Sequence, residues 1–223
     1  MQDLQYIQIE TAPSPTAAVI WLHGLGANGH DFEPVIPELK LPSDLVVRFI
    51  FPHAPEMPVT INGGYVMPAW YDILEMNIDR KVDAVQLRAS ADAVEKLVEQ
   101  QIEQGIDSQN IILAGFSQGG AVAYELALRY GKPLGGLLAL STYFATADDI
   151  EFSEANKSLP IQIMHGTRDP VVPEVLGQKA NQLLRGKDYD VDYKTYPIEH
   201  NVSLPEILDI GVWLTKSLRH CEE

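Results

Sequence analysis

Cysteine is nearly absent from this sequence: one residue in 223, Cys221, close to the C-terminus. A lone thiol excludes an intrachain disulfide framework, and no Cys/His spacing of the metal-binding kind occurs, so no metal and no cofactor are expected. Basic residues are scarce as well. Sixteen Lys and Arg stand against 31 Asp and Glu, a formal net charge of −15. The chain therefore lacks the clustered cations that neutralise phosphates, which argues against nucleic acid as a partner and against electrostatic docking on anionic membranes. No apolar run approaches the roughly 20 residues of a membrane span. The opening MQDLQYIQIE has neither the cationic region nor the apolar core of a secretory signal. A cytoplasmic protein without stable membrane insertion is expected. Internal repeats and low-complexity linkers are missing too. What is present is an ordinary globular composition, 46% hydrophobic and 21% charged, in a length that fits one domain over residues 1–223.

Short apolar runs recur along the chain, each followed by a polar loop and then a stretch of helical period. Runs at 6–10, 18–22, 46–51, 111–114, 136–140, 161–165 and 191–196 read as strands. Most are continuously apolar, the pattern of strands buried on both faces of a parallel sheet. The first, YIQIE, alternates as an edge or hairpin strand does. Val82, Val85, Ala89, Val94, Leu97, Val98 and Ile102 form one apolar stripe on a long helix, with Gly105 as its stop. Further helices are expected at 119–130, 174–185 and 205–218. The alternation predicts βαβ units with right-handed crossovers, hence an α/β sheet of about seven strands flanked by helices in three layers. Residues 52–72, PHAPEMPVTINGGYVMPAWYD, are too rich in Pro and Gly for this scheme. They read as a long functional loop over the site.

The stretch AGFSQGG, Ala114 to Gly120, sits where a strand turns into a helix. Gly115, Ser117 and Gly119 match the G-x-S-x-G elbow that presents a nucleophilic serine. The two glycines give the close approach that a Cβ would block, and the helix start supplies free amides for developing negative charge. Read blandly, the same residues are a loop and a helix cap. A serine needs a base and an orienting carboxylate, in the chain order Ser, acid, His. Three histidines follow Ser117. His165 ends a buried run and His220 lies in the tail, whereas His200 follows the last strand on the sheet edge that holds the serine. For the acid, Asp169 follows the preceding strand on that edge. Asp148, Asp149, Asp188 and Asp190 lie in polar stretches, Asp192 is inside a strand, and Glu199 points elsewhere if its backbone is extended. Oxyanion donors are expected from the backbone N–H of Gln118 and of Leu25, in the Gly-Leu-Gly turn after the second strand. His23 reads as a brace for that turn.

Together LHGLGANGHDF, AGFSQGGAVAYELAL, GGLLALSTY, HGTRDPVVP and His200 resemble the carboxylesterase and acyl-protein thioesterase family of α/β hydrolases. The resemblance runs over most of the chain, and NGGYVMPAWYDI is especially similar to the small bacterial carboxylesterases of that family. It implies Ser117, Asp169 and His200 as a catalytic triad and Leu25 with Gln118 as oxyanion amides. It also implies an apolar acyl groove lined by Met67, Trp70, Val171 and Val172, although large rings such as Trp70 are as often ordinary core. One departure is Ala27, where many relatives carry Asp; another is Asn201 after the histidine.

The expectation is a serine hydrolase cleaving oxygen or thio esters of an apolar acyl group. Its rival is a silent binding protein on a hydrolase fold, since fold alone never fixes function. Without a cationic cluster, a neutral or apolar substrate is expected over a phosphorylated one. Short-chain esters, lysophospholipids and S-acylated proteins all stay open, and the apolar rim at 61–73 is a candidate homodimer surface.

Overall fold

The computed structural model describes residues 3–76 and 80–219; Cys221 and His220 lie outside them. In chain order the elements are β1 (Tyr6–Glu10), β2 (Ala17–Leu22), a 3-10 segment (Glu33–Leu39), β3 (Val47–Pro52), β4 (Glu56–Val59), β5 (Tyr65–Pro68), β6 (Ile73–Glu75), β7 (Lys81–Val82), α1 (Ala84–Glu103), β8 (Ile111–Phe116), α2 (Gln118–Arg129), β9 (Gly136–Leu140), β10 (Ile161–Gly166), α3 (Glu174–Arg185), β11 (Val191–Tyr196) and α4 (Leu204–Arg219).

Seven strands make the main sheet in the order β1-β3-β2-β8-β9-β10-β11. Only β1 runs antiparallel, on the edge beside β3, as its alternating sequence predicts. The continuously apolar strands are those with helices on both faces. Along β2, Ala18, Ile20 and Leu22 pack with α1 and α2, while Ala17, Val19 and Trp21 pack with the 3-10 segment and α4. The period of two in the strand thus feeds two separate cores. α1 starts on Asp83, whose side chain accepts from the Gln86 N–H. It ends in a Schellman motif: Gly105 at φ 94° donates to Ile102 O, and Ile106 N–H reaches Gln101 O. Glycine supplies the left-handed turn that a side chain would strain.

Register decides where loops gather. Phe116 pairs with Leu140, Leu140 with Met164, and Gly166 with Tyr196. The C-terminal ends of β8, β9, β10 and β11 therefore lie side by side, at the edge where open α/β sheets bind ligands.

The 52–72 segment departs from its reading as an unstructured loop. It holds the β4–β5 antiparallel hairpin, with Val59 opposite Tyr65. Gly63 and Gly64 close its turn at φ 67° and 76°. Tyr65 and Val66 stand exposed on it, whereas Ala69, Trp70 and Tyr71 are fully buried in the core.

Candidate active site

Ser117 is the residue between β8 and α2, and its backbone has φ 54° and ψ −121°. That conformation is costly for a side-chain-bearing residue, roughly 1–3 kcal/mol, and the surroundings enforce it. The Ser117 N–H donates to Leu140 O at 2.9 Å, and the Thr142 hydroxyl donates to Ser117 O. The glycines on either side permit close packing. A Cβ on Gly115 would stand 2.4 Å from Gly119 O, and one on Gly119 2.5 Å from His23 O. Both clashes are with backbone, which cannot swing aside.

Three strand ends deliver three side chains. Asp169 follows β10 and His200 follows β11, each within four residues of the strand's last residue. His200 Nε2 lies 3.0 Å from Ser117 Oγ, and His200 Nδ1 lies 2.6 Å from Asp169 Oδ2. The other carboxylate oxygen, Oδ1, accepts the N–H groups of Val171 and Val172 at 2.8 Å each. Burial alone raises the Asp169 carboxyl. The His200 contact and the two amides outweigh that and hold it below the usual carboxylate value. Such an acceptor favours the tautomer with its proton on Nδ1, and the Nε2 lone pair then faces Ser117 Oγ. The His200 ring rests on Phe116, with centroids 4.7 Å apart.

The other two nearby histidines are structural. His23 accepts the Ala54 N–H at Nε2 and bonds Gly24 O through Nδ1. Burial lowers its pKa to about 4, so the ring is neutral and braces the turn after β2, as its sequence position suggests. His165 is buried, donates from Nε2 to Val172 O, and is likewise pushed down by burial.

A cavity of about 220 Å³ opens beside the serine, lined by Leu25, Ile61, Ile73, Phe116, Ser117, Gln118, Tyr143, Val171 and His200 among others. Leu25 and Gln118 therefore share the cavity with Ser117 and His200, and Gln118 stands first in α2, where no intrahelical acceptor exists for its N–H. Of the four residues expected to form an acyl groove, only Val171 lines this cavity. Trp70 is fully buried, its ring N–H donating to His23 O, and Val172 is buried with its amide on Asp169. Met67 lies near Gly26, off the cavity wall. Trp70 is taken into the core just after β5, and Val172, in the turn between β10 and α3, is turned inward by its amide on Asp169. The walls come instead from Ile61, Ile73, Met76, Arg80 and Tyr143, which sequence reading did not single out.

One side chain has a function that its position only hinted at. Gln118 Oε1 accepts the Trp70 N–H at 2.8 Å, and its Nε2 donates to Tyr71 O at 2.6 Å. The residue beside the serine therefore clamps the end of the hairpin segment to α2.

Residues 5–218 match the phospholipase/carboxylesterase family. The chain belongs to that family of α/β hydrolases. This family member is a carboxylesterase-type serine hydrolase, 37% identical over 218 residues to acyl-protein thioesterase 1 of Gibberella zeae, with 93% of each chain covered. Among solved structures it is similar to Arabidopsis thaliana SOBER1, at 31% identity and TM-score 0.84, over 91% of this chain and 99% of that one. It is also similar to Zea mays acyl-protein thioesterase 2, at 27% identity and TM-score 0.81, over 95% and 99%. Among the described residues no helix is long and apolar enough to cross a membrane.

Proposed function

We propose that Ser117, His200 and Asp169 hydrolyse a carboxylic ester or thioester through an acyl-enzyme. The observation that carries this reading is the unbroken chain of contacts from Ser117 Oγ through His200 to Asp169, 3.0 and 2.6 Å long. Ser117 Oγ attacks the ester carbonyl while its proton passes to His200 Nε2. The tetrahedral oxyanion takes the N–H groups of Leu25 and Gln118, each such donor supplying about 2.7–4 kcal/mol of transition-state stabilisation. Collapse expels the alcohol or thiol, which leaves with the proton from His200. Water then repeats the sequence on the acyl-serine and releases the acid.

The cavity favours a compact acyl group. About 220 Å³ lies below the roughly 300–1,000 Å³ of common ligand pockets, and its floor is largely aliphatic and aromatic. The thioester of an S-acylated protein is the second reading, favoured by the names of the Gibberella zeae and Zea mays relatives. One cysteine in 223 residues suits a reducing compartment such as the cytoplasm. The exposed Tyr65 and Val66 are the surface on which a homodimer would form.

The test is Ser117→Ala, assayed on p-nitrophenyl butyrate and on an S-butyryl thioester. Turnover should fall about 10⁴–10⁶-fold with the fold intact, and the parent should take one fluorophosphonate adduct, on Ser117. Undiminished turnover by the variant, or no adduct on the parent, overturns the assignment.

A further inference from the structure

The serine cavity is lined by one fixed cation, Arg80, and by one carboxylate, Asp31, and among the described residues no ion pair joins the two. Arg80 lines the cavity together with Ser117 and His200. Its guanidinium carbon lies 4.8 Å from the centre of the Tyr143 ring, and one terminal nitrogen donates to the Val171 carbonyl. Another contacts the Met76 thioether at 3.2 Å, a weak acceptor. Nε is buried without a hydrogen-bond partner. Arg48, Arg88, Arg129 and Arg219 each pair with an acidic side chain, whereas Arg80, Arg168 and Arg185 have no such pair among the described residues. Of these three only Arg80 lines the serine cavity.

Its position is equally specific. Arg80 and Tyr143 also line a second cavity, about 410 Å³, with Phe144, Leu176, Ala180 and Leu183 on its apolar side. The guanidinium and the ring therefore stand as a partition between the two spaces. Tyr143 is held in place by its hydroxyl, 2.8 Å from that of Tyr71. A partly buried charge without a counter-ion is costly unless something pairs with it. The ring contact uses the charge of Arg80 through its face and the Val171 carbonyl takes one terminal nitrogen, which leaves the Nε edge to an anion.

We infer that Arg80 is a specificity residue, and that the preferred substrate carries a carboxylate, besides its ester, which pairs with the guanidinium at this partition. The inference rests on the hydrolase reading above and narrows its substrate. A planar guanidinium matches a carboxylate through parallel N–H···O bonds, while the apolar walls at Ile61, Ile73 and Phe116 take the uncharged part. A sequence without a basic cluster reads as a neutral-substrate enzyme. Here a single arginine, placed by the fold, supplies the positive charge.

The test compares matched esters on the parent and on Arg80→Gln, which removes the charge and keeps an amide donor on a shorter stem. The p-nitrophenyl half-ester of glutarate against p-nitrophenyl valerate places the carboxylate on the acyl side. S-butyryl-N-acetylcysteine against its N-methylamide places it on the leaving group. In at least one pair the parent should prefer the carboxylate, and Arg80→Gln should lower the kcat/KM ratio about 10- to 100-fold, the worth of a charge-assisted contact. The preference should shrink with added salt. A parent that favours the neutral ester in both pairs, or ratios unchanged by the substitution, overturns the inference. Inhibition of the parent by glutarate against glutaramide, which carries no ester, probes the same charge with no variant: only the dianion should compete. Hydrolysis of the neutral esters reports the hydrolase reading separately, because its loss in the parent would sink that reading and not only the role of Arg80.

Discussion

Asp169 shows how much one side chain can settle. Its Oδ1 is occupied by the amides of Val171 and Val172, so only Oδ2 faces His200. In Asp169→Asn the amide oxygen keeps the two N–H donors, and the new NH₂ group is left pointing at Nδ1. A donor there demands a lone pair on Nδ1, which moves the imidazole proton to Nε2 and blocks acceptance from Ser117. The expected result is a kcat about 10⁴-fold lower in protein that still folds, measured on p-nitrophenyl butyrate. Activity within tenfold of the parent would mean that the carboxylate does not set the tautomer. Ser117, Asp169 and His200 were legible in the sequence because each falls within four residues of a strand's end, and parallel strands place such positions on one edge. Arg80 and Tyr143 were not legible, since a pocket wall is assembled from residues 63 positions apart and carries no local pattern.

At the scale of elements, the strands and the four long helices follow from apolar period and their stops, with boundaries shifted by one or two residues. The hairpin of β4 and β5 escaped because Pro58 and Pro68 interrupt its pattern and its outer residues meet solvent. Its turn, Asn62-Gly63-Gly64, was the available signal. The same segment misdirected the groove: Trp70 looked like a wall and is core, because Gln118 ties its backbone to α2. Removing that tie strands a buried N–H and a buried C=O, each costing about 1–3 kcal/mol. Gln118→Leu keeps the backbone amide of the proposed oxyanion site. It should therefore lose about 2–4 kcal/mol of stability while any active fraction retains its turnover. An unshifted urea midpoint would show that the clamp contributes nothing.

On the scale of the whole molecule, pH acts through groups whose folded and unfolded pKa values differ. Three of them pull in different windows. Asp169 is held below its ordinary value, so its contribution is present above the unfolded pKa and is lost only as pH falls through the lower folded one. His23 is lowered to about 4, so it costs stability as pH falls from its unfolded 6.5 towards that value. Glu206 works the other way. It is fully buried at the start of α4, shares reciprocal contacts with Ser203, and has Asp209 nearby. Burial, aided by the Asp209 charge, lifts it from 4.5 to about 7. Its protonated form suits the fold, so the contribution is complete below pH 4.5 and is lost as pH rises through 7. The full loss is up to about 3 kcal/mol. Because His23 opposes Glu206 between 4.5 and 6.5, and the lowered His165 acts in the same direction as His23, the parent's own profile does not isolate the carboxyl. The difference between parent and Glu206→Gln isolates the carboxyl. Glutamine keeps the capping contact to Ser203 and cannot ionise. The two proteins should melt together at pH 4, and the variant should be the more stable at pH 8, with the gap opening between those values. Parallel melting curves across that range would place the ionisation of Glu206 outside the folding equilibrium.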